Sequence, residues 1–425
     1  VKVHQAYRFE LDPNDAARTS LRKAAGVARY AWNWALAHRI ALLAQYPDHT
    51  DKRRYANAIE LHKLWNVHKA EKPWIYESSK CCGQEAFRNL DRAFKRFYKW
   101  RRDHKGPRVG FPKFKRKGKS RDGFRLTGTQ RVSGRYVVLP RLGSIRLKEK
   151  APKIKGRILS AIVSRIADRW FVSFAVDRER PEPVAPIGAV VGIDLGIKHF
   201  ATIHDGEKTW TVDAPKPLIT GMRKLRSLSK AHSRKKRGSA NRRKASVVIA
   251  CHHARIANIR NDFLHKLTTK LAKTKQAIVV EDLCVRGLAR TRLAKHVLDA
   301  GWSGFRRMCG YKSEWYGSQV IAAPRFFPSS KICSGCGNKK VDLKLSDRTY
   351  ECCACGLVID RDENASINLQ QFGLAVIANP TTASSAERKA CGEERSGRGC
   401  KATTKRTLVK QERGAKPDVQ AWVSP

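Results

Sequence analysis

Residues 189–196 read AVVGIDLG, an apolar run that lacks the polar alternation of a half-exposed strand and closes on one carboxylate and a Leu-Gly turn. Such runs form strands buried on both faces, the mark of a parallel α/β sheet. A second run of this kind lies at 276–283, QAIVVEDL, and a third strand pattern at 319–323, QVIAA. HFATIHD (199–205) and TWTVDA (209–214) supply hairpin partners for the first run. Helical patterns cover about 219–275, 299–317 and 364–374. From residue 187 onward the chain is therefore α/β.

A buried strand avoids a carboxylate at its core end, because an unpaired buried charge is costly. Asp194 and Glu281 nevertheless stand at the ends of their strands, and Asp362 sits in DRDENA (360–365) at the mouth of the last helix. Taken singly, each has an ordinary structural explanation: a turn residue, a strand-end charge and a helix N-cap. A pair of Mg2+ ions would remove the cost for all three. Two ions ~4 Å apart on shared carboxylates activate a water and stabilise the leaving oxygen in phosphodiester cleavage.

Upstream the periods differ. Residues 1–11 alternate, with Val1, Val3, Tyr7, Phe9 and Leu11 on one face, and Asp12-Pro13 stops the strand. Helices follow at 15–45, about 53–70 and about 80–103. Period-two character returns after about 121, with strands at 136–140, 144–148, 158–166 and 170–176. With the first strand these make a small β-barrel interrupted by helices, and Pro181, Pro183 and Pro186 mark its boundary. Tyr30, Trp32, Trp34, Phe94 and Phe97 lie at helical spacing, which favours a core face over base stacking.

The 425 residues carry 87 Lys+Arg against 37 Asp+Glu, a formal net charge of +50, with 41% hydrophobic residues. That apolar share excludes a wholly disordered basic tail, and the charge calls for a polyanionic partner, nucleic acid first. Fourteen Lys/Arg and one acid, Asp103, fall in 92–121; eleven Lys/Arg and no acid fall in 223–244. The first run is interleaved with aromatic rings, which suits backbone and base contact together. No run of ~18 apolar residues predicts a membrane span. The opening residues lack the apolar stretch of a secretory signal.

Five of twelve cysteines fall between Cys333 and Cys355. Cys333-Ser-Gly-Cys336 and Cys352-Cys-Ala-Cys355 are two C-x2-C knuckles, a spacing that places four thiolates around one structural Zn2+. Gly337 and Gly356 follow the knuckles, where a chain turning back on the metal needs positive φ. Cys353 breaks the spacing and is read as a bystander. The pattern predicts a cytosolic protein rather than a disulfide scaffold.

The segments GIDLGIKHFA (192–201), VVEDL (279–283), FPSSKICSGCG (327–337) and CCACGLVIDRDENASINL (352–369) together resemble the TnpB proteins encoded by bacterial insertion sequences, relatives of type V CRISPR effectors. GVARYAWNWAL (26–36) and VGFPKFK (109–115) extend the resemblance, so that it covers about residues 1–375.

The resemblance implies an RNA-guided DNA endonuclease with a RuvC-like core of the RNase H fold. Its acidic triad falls on Asp194, Glu281 and Asp362, with two Mg2+ per site, while Asp282 points to the opposite strand face and Asp360 is the other Asp of its pair. Lys198 and His199 lie near enough in sequence to touch a scissile phosphate. The implied layout is a barrel (wedge) domain in two pieces, 1–14 and 106–183, around a helical recognition insertion at 15–105. The nuclease core spans 187–331 and 358–378, interrupted by a target-nucleic-acid-binding zinc ribbon at 332–357. A disordered basic tail occupies 379–425. The implied partners are a guide RNA from the transposable-element end and a double-stranded DNA target with a short adjacent motif, in a bacterial or archaeal cytoplasm at the nucleoid. Base pairing would supply sequence recognition while protein charge grips the heteroduplex backbone. Two alternatives remain at this level: a strand-transferring transposase on the same core, and a non-catalytic nucleic-acid-binding regulator.

Overall fold

The computed structural model describes residues 2–48, 55–344 and 346–379, so the expected tail lies, beyond Asn379, outside the described residues. The N-terminal part begins with β1 (Lys2–Asp12), then α1 (Asp15–Gln45), α2 (Ala58–His68) and α3 (Cys81–Asp103). Asn14 caps α1 by accepting from the Ala17 amide, and Asn57 and Glu60 close a capping box on α2. Six strands follow: β2 (Gly123–Leu126), β3 (Arg131–Ser133), β4 (Tyr136–Leu139), β5 (Gly143–Leu147), β6 (Arg157–Ile166) and β7 (Arg169–Glu179). β2 and β3 were not individually legible, being short and rich in Gly, Arg and Ser.

These strands form one seven-stranded sheet in the order β2-β6-β7-β1-β5-β4-β3. The sequence reading expects a barrel; hydrogen bonding instead leaves β2 and β3 as edges. α1 and α3 pack against β2, and one apolar core runs from Phe174 and Val176 of the sheet through Leu21 and Leu36 to Phe87 and Phe94. Trp32 and Phe94 are buried in it, Tyr30 and Trp34 pack against it, and Phe97 meets Phe111 edge to face. Four of the five rings thus lie in the core or pack on it, and Phe97 sits at its margin. The 109–115 segment crosses α1 as a strap: Trp32 Nε1 and Asn33 Nδ2 donate to the carbonyls of Lys113 and Lys115.

The C-terminal part holds a five-stranded sheet built from β8 (Val190–Asp194), β9 (Ala201–His204), β10 (Thr209–Val212), β11 (Ala277–Glu281) and β12 (Gln319–Ala323). Between its strands run α4 (Pro217–Ser233), α5 (Ala240–Thr274), α6 (Val285–Leu288), α7 (Ala294–Ala300) and α8 (Trp302–Tyr316). The helical region expected at 219–275 is two helices, split where Gly238 takes φ +83° and Ser239 caps α5. The sheet order is β10-β9-β8-β11-β12, with β9 antiparallel to its neighbours and β11 parallel to both β8 and β12. β13 (Thr349–Glu351) and β14 (Val358–Asp360) make a small hairpin, and α9 (Arg361–Ala378) closes the described chain.

Two apolar layers sandwich the sheet. Val191, Ile193, Ile278 and Val280 pack with Leu264 of α5 and Phe305 of α8. Val190, Ala277, Val279 and Ala323 pack with Leu369 of α9. Both β8 and β11 are buried on either face until their final residue, as the apolar runs require. Among the described residues no helix is long and apolar enough to cross a membrane.

Candidate active site and metal centre

β8 and β11 are parallel neighbours in register from Ala277↔Val190 to Val280↔Ile193, so Asp194 and Glu281 emerge side by side from the same end of the sheet. Strand alternation fixes the face. Asp194 shares parity with Val190, and Glu281 with Ala277 and Val279, all on the α9 side. Asp282 has the opposite parity and there takes ion pairs from Arg306 of α8 and from Arg325.

α9 reaches this end because the sheet lets it come close. A Cβ on Gly192 would stand 2.0 Å from the Ser366 carbonyl oxygen and 2.4 Å from the Gln370 amide nitrogen, so α9 lies directly on β8 at that residue. One turn before Ser366 comes Asp362. Asp360 is the N-cap of α9: its side chain accepts from the amides of Asp362 and Glu363 at 2.9 and 3.2 Å. The helix begins three residues earlier than periodicity suggests, since Arg361, Asp362 and Glu363 carry no apolar signal. The two aspartates of the pair are thereby separated, Asp360 as a cap and Asp362 in the first turn facing the strand ends.

Burial pushes the Asp194 carboxyl well above the usual carboxylate range, and the charges of Glu281 and Asp362 push it further, against the opposing charge of Arg361. Burial likewise raises Glu281, opposed by the Ser329 hydroxyl, which donates to Oε1 at 2.5 Å, and by Arg361. Three like charges crowd one partly dry end of the sheet. Among the described residues they do not lie as tightly as the ligands of a single ion; the cysteine cluster alone has all its ligand atoms within 4.8 Å of one another.

That cluster is Cys333, Cys336, Cys352 and Cys355. Sγ–Sγ separations are 3.6 Å for Cys333–Cys355 and 3.5 Å for Cys336–Cys352. A tetrahedral ion with bonds of about 2.3 Å needs edges of about 3.8 Å, so the four sulfurs fit a metal with little movement. Amides of Cys355 and Ala354 lower the Cys352 thiol, while hydrogen bonds within the cluster raise Cys336 and Cys355, so the four sulfurs share their protons unevenly. Gly337 and Gly356 both take φ +75°, as the knuckle turns demand. Cys353 stays outside the cluster, with Asn338 Nδ2 donating to its sulfur.

The two centres are stitched together by residues the sequence reading passed over. Asn364 and Asn368, one turn apart on α9, each donate to the Ile332 carbonyl at 2.7 Å, and Asn368 also to that of Ser329. Asn364 Oδ1 accepts from the Ser334 amide. The loop that supplies Ser329 to Glu281 is therefore the loop that leads into the first knuckle, and α9 holds both. The i, i+4 pair of asparagines in an otherwise apolar helix face was the available signal. His199 pairs with Asp213 at 2.6 Å, and the Lys198 carbonyl accepts from Lys216 Nζ; neither interaction involves the three carboxylates.

Residues 173–292 match the family described as "Probable transposase" (OrfB of the IS605 type), and residues 302–369 one described as "Cas12f1-like, TNB domain". Residues 3–46 match a "Helix-turn-helix domain", although the structure has there one strand, β1, and one uninterrupted helix, α1. A "Putative RNA-guided DNA endonuclease" of Streptomyces pristinaespiralis is 33% identical over 417 residues, covering 97% of this chain and 96% of its own. Another protein of that description, InsQ of Escherichia coli K12, is 31% identical over 401 residues, covering 89% and 94%. Among solved structures, a chain of a Cas12f1–sgRNA–target DNA complex is similar with a TM-score of 0.50 and 13% identity, over 87% of this chain and 99% of that one. That last likeness is one of fold.

Proposed function

The chain belongs to the TnpB family, and from that premise we propose that it is an RNA-guided DNA endonuclease whose cutting site is made by Asp194, Glu281 and Asp362. The observation that carries this reading is the convergence of two strand-end carboxylates and one first-turn carboxylate on one face, where each raises the cost of charge on Asp194. Such an arrangement is unfavourable unless cations occupy it. Two Mg2+ ions held by these three residues would supply an activated water and charge stabilisation at the leaving oxygen of the cut phosphodiester.

The protein's own contribution is positional. Ser329 fixes the Glu281 carboxylate through one oxygen, and the Asp360 cap sets the first turn of α9 so that Asp362 meets the strand ends. The five-stranded sheet with α9 is the RNase H-like, RuvC-like core, and Cys333, Cys336, Cys352 and Cys355 hold one structural Zn2+ with no position left for water. The +50 charge fits a bound guide RNA from the element's end and a double-stranded target with a short adjacent motif. The seven-stranded sheet and its helices are the part assigned to the RNA scaffold and that motif, and the cysteine ribbon the part assigned to the target. The working compartment is a bacterial or archaeal cytoplasm, at the nucleoid.

The test is to sequence the RNA that co-purifies with the protein, then offer DNA complementary to its variable end. Cutting is expected in Mg2+, not in EDTA, and is lost in Asp362→Asn with RNA content unchanged. Heterogeneous bound RNA, or an Asp362→Asn protein that cuts at the wild-type rate, refutes the reading.

A further inference from the structure

One aromatic ring stands outside every contact described so far. Phe326 is 91% exposed, whereas the next most exposed aromatic residue among those described, Tyr136, is 54% exposed. It is not on a loose segment. Phe326 lies in a turn closed by the Phe327 amide donating to the Pro324 carbonyl at 2.8 Å. Both neighbours are tied down on opposite sides of the sheet: Arg325 donates to Asp282 at 3.1 Å, and Phe327 packs on Phe372 of α9 with ring centroids 5.0 Å apart.

The turn also lies beside the carboxylates. Ala323, the last residue of β12, pairs with Glu281, and at most about 11 Å of chain separates Phe326 from it. Three residues after Phe326, Ser329 donates to Glu281 itself. On the other side Arg306 and Arg325 both face Asp282, leaving an excess of positive charge where a phosphate chain would pass. An exposed ring on a pinned turn between an acidic site and two guanidiniums has the makeup of a base-stacking platform: a π-face for the base, cations for the backbone.

We propose that Phe326 binds the DNA strand being cut by stacking on one of its bases close to the scissile phosphate, so that the ring sets which phosphodiester sits over the carboxylates. The inference rests on the cutting site proposed above and assigns that site a strand-positioning residue. A ring on a turn accepts any base, so the effect is on placement and not on sequence.

The test uses the full chain with its co-purified RNA, and a target in which 2-aminopurine is walked through each DNA strand. Fluorescence is read with Mg2+ omitted, so the result does not depend on cleavage. One position, or two adjacent ones, should be quenched in the wild type and in Phe326→Trp and recover in Phe326→Ala, the rest being unchanged. With Mg2+ added, Phe326→Ala should cut about tenfold more slowly at limiting target. An abasic site at the quenched position should cost the wild type the same factor and Phe326→Ala nothing further. Absence of any DNA position that distinguishes wild type from Phe326→Ala, which is also what a ring contacting the guide RNA would give, overturns the proposal. So does an abasic site that costs both proteins equally. Quenching without cutting would refute the nuclease reading and leave the stacking intact; cutting without a distinguishing position would do the reverse.

Discussion

The cysteine cluster and the carboxylate site meet at one loop and are built in opposite ways. The four thiols come from two knuckles within 23 residues, Cys333 to Cys355, and their sulfurs already stand near tetrahedral separation. The three carboxylates come from positions 194, 281 and 362 and are gathered by a parallel strand pair and a helix laid across it. The first is a local structure with its four sulfurs gathered by short turns; the second is a tertiary structure that crowds like charges and gains nothing in stability from doing so. The four thiols need only two short turns, one bracketed by the Ile332–Lys339 bridge and one by β13 and β14. The carboxylates are instead kept under electrostatic stress by elements that are stable for other reasons.

The largest expected effect comes from exchanging that stress for neutrality. Asp194→Asn should lower guided cutting by a thousandfold or more (about 4 kcal/mol), while the metal-free protein melts no lower than the wild type, because repulsion by Glu281 and Asp362 is relieved. If its melting temperature drops instead, the carboxylates are part of the scaffold and the contrast collapses.

Cys333→Ser should behave the other way round. Bound zinc, measured on the purified protein, falls from one per chain to none, and melting falls by about 5 °C. Cutting falls as well, because the loop that carries Cys333 also carries Ser329 and is held through Ile332 by Asn364 and Asn368. A zinc-free variant that still cut at the wild-type rate would show the two centres to be independent.

How much of this was legible follows from the same contrast. The knuckles and the acid-terminated apolar runs could be read because spacing and periodicity are local. Even the offset between Asp360 and Asp362 was visible as a motif, although only the structure shows that one caps α9 and the other leads it to the strand ends. Ser329 could not be read, and Asn364 and Asn368 only as a polar pair on an apolar face, because their partners lie 30 to 48 residues away in sequence. The barrel expectation failed to close for a related reason: where a sheet ends depends on what covers its edge, and α1 and α3 pack against β2 in a way no strand pattern announces.

Packing of α9 separates the two centres on a smaller scale. Gly192→Ala drives a Cβ into backbone atoms of Ser366 and Gln370, which cannot swing aside, so α9 must lift from β8 at a cost of about 1–3 kcal/mol. Gly373→Ala meets the Val279 side chain, 2.3 Å from the new Cβ, where a rotamer change can absorb part of the clash. Cutting should therefore fall more in Gly192→Ala than in Gly373→Ala, with zinc content unaltered in both. Equal losses would mean that α9 tilts as a unit and that Asp362 is not placed by the contact at Gly192.

The smallest effect is a slope. Asp194 and Glu281 titrate higher in the folded chain than the ordinary 3.8 and 4.5, so the folded state binds their protons more tightly than the unfolded state does. Their contribution is fully favourable below those ordinary values and is lost as pH rises through the raised ones. In the metal-free protein this pair should thus contribute a loss of stability from about pH 4 upward, opposite in sign to the depressed carboxyls of Asp91 and Asp205 and the depressed imidazoles of His38, His62, His68 and His265. Asp194→Asn should flatten that slope, and Mg2+ should flatten it in the wild type by binding the deprotonated pair. Melting curves taken across pH 4–8 in EDTA for the wild type and Asp194→Asn decide it, and a wild-type stability that does not fall relative to the variant as pH rises would mean that Arg361 offsets the crowding at this end of the sheet.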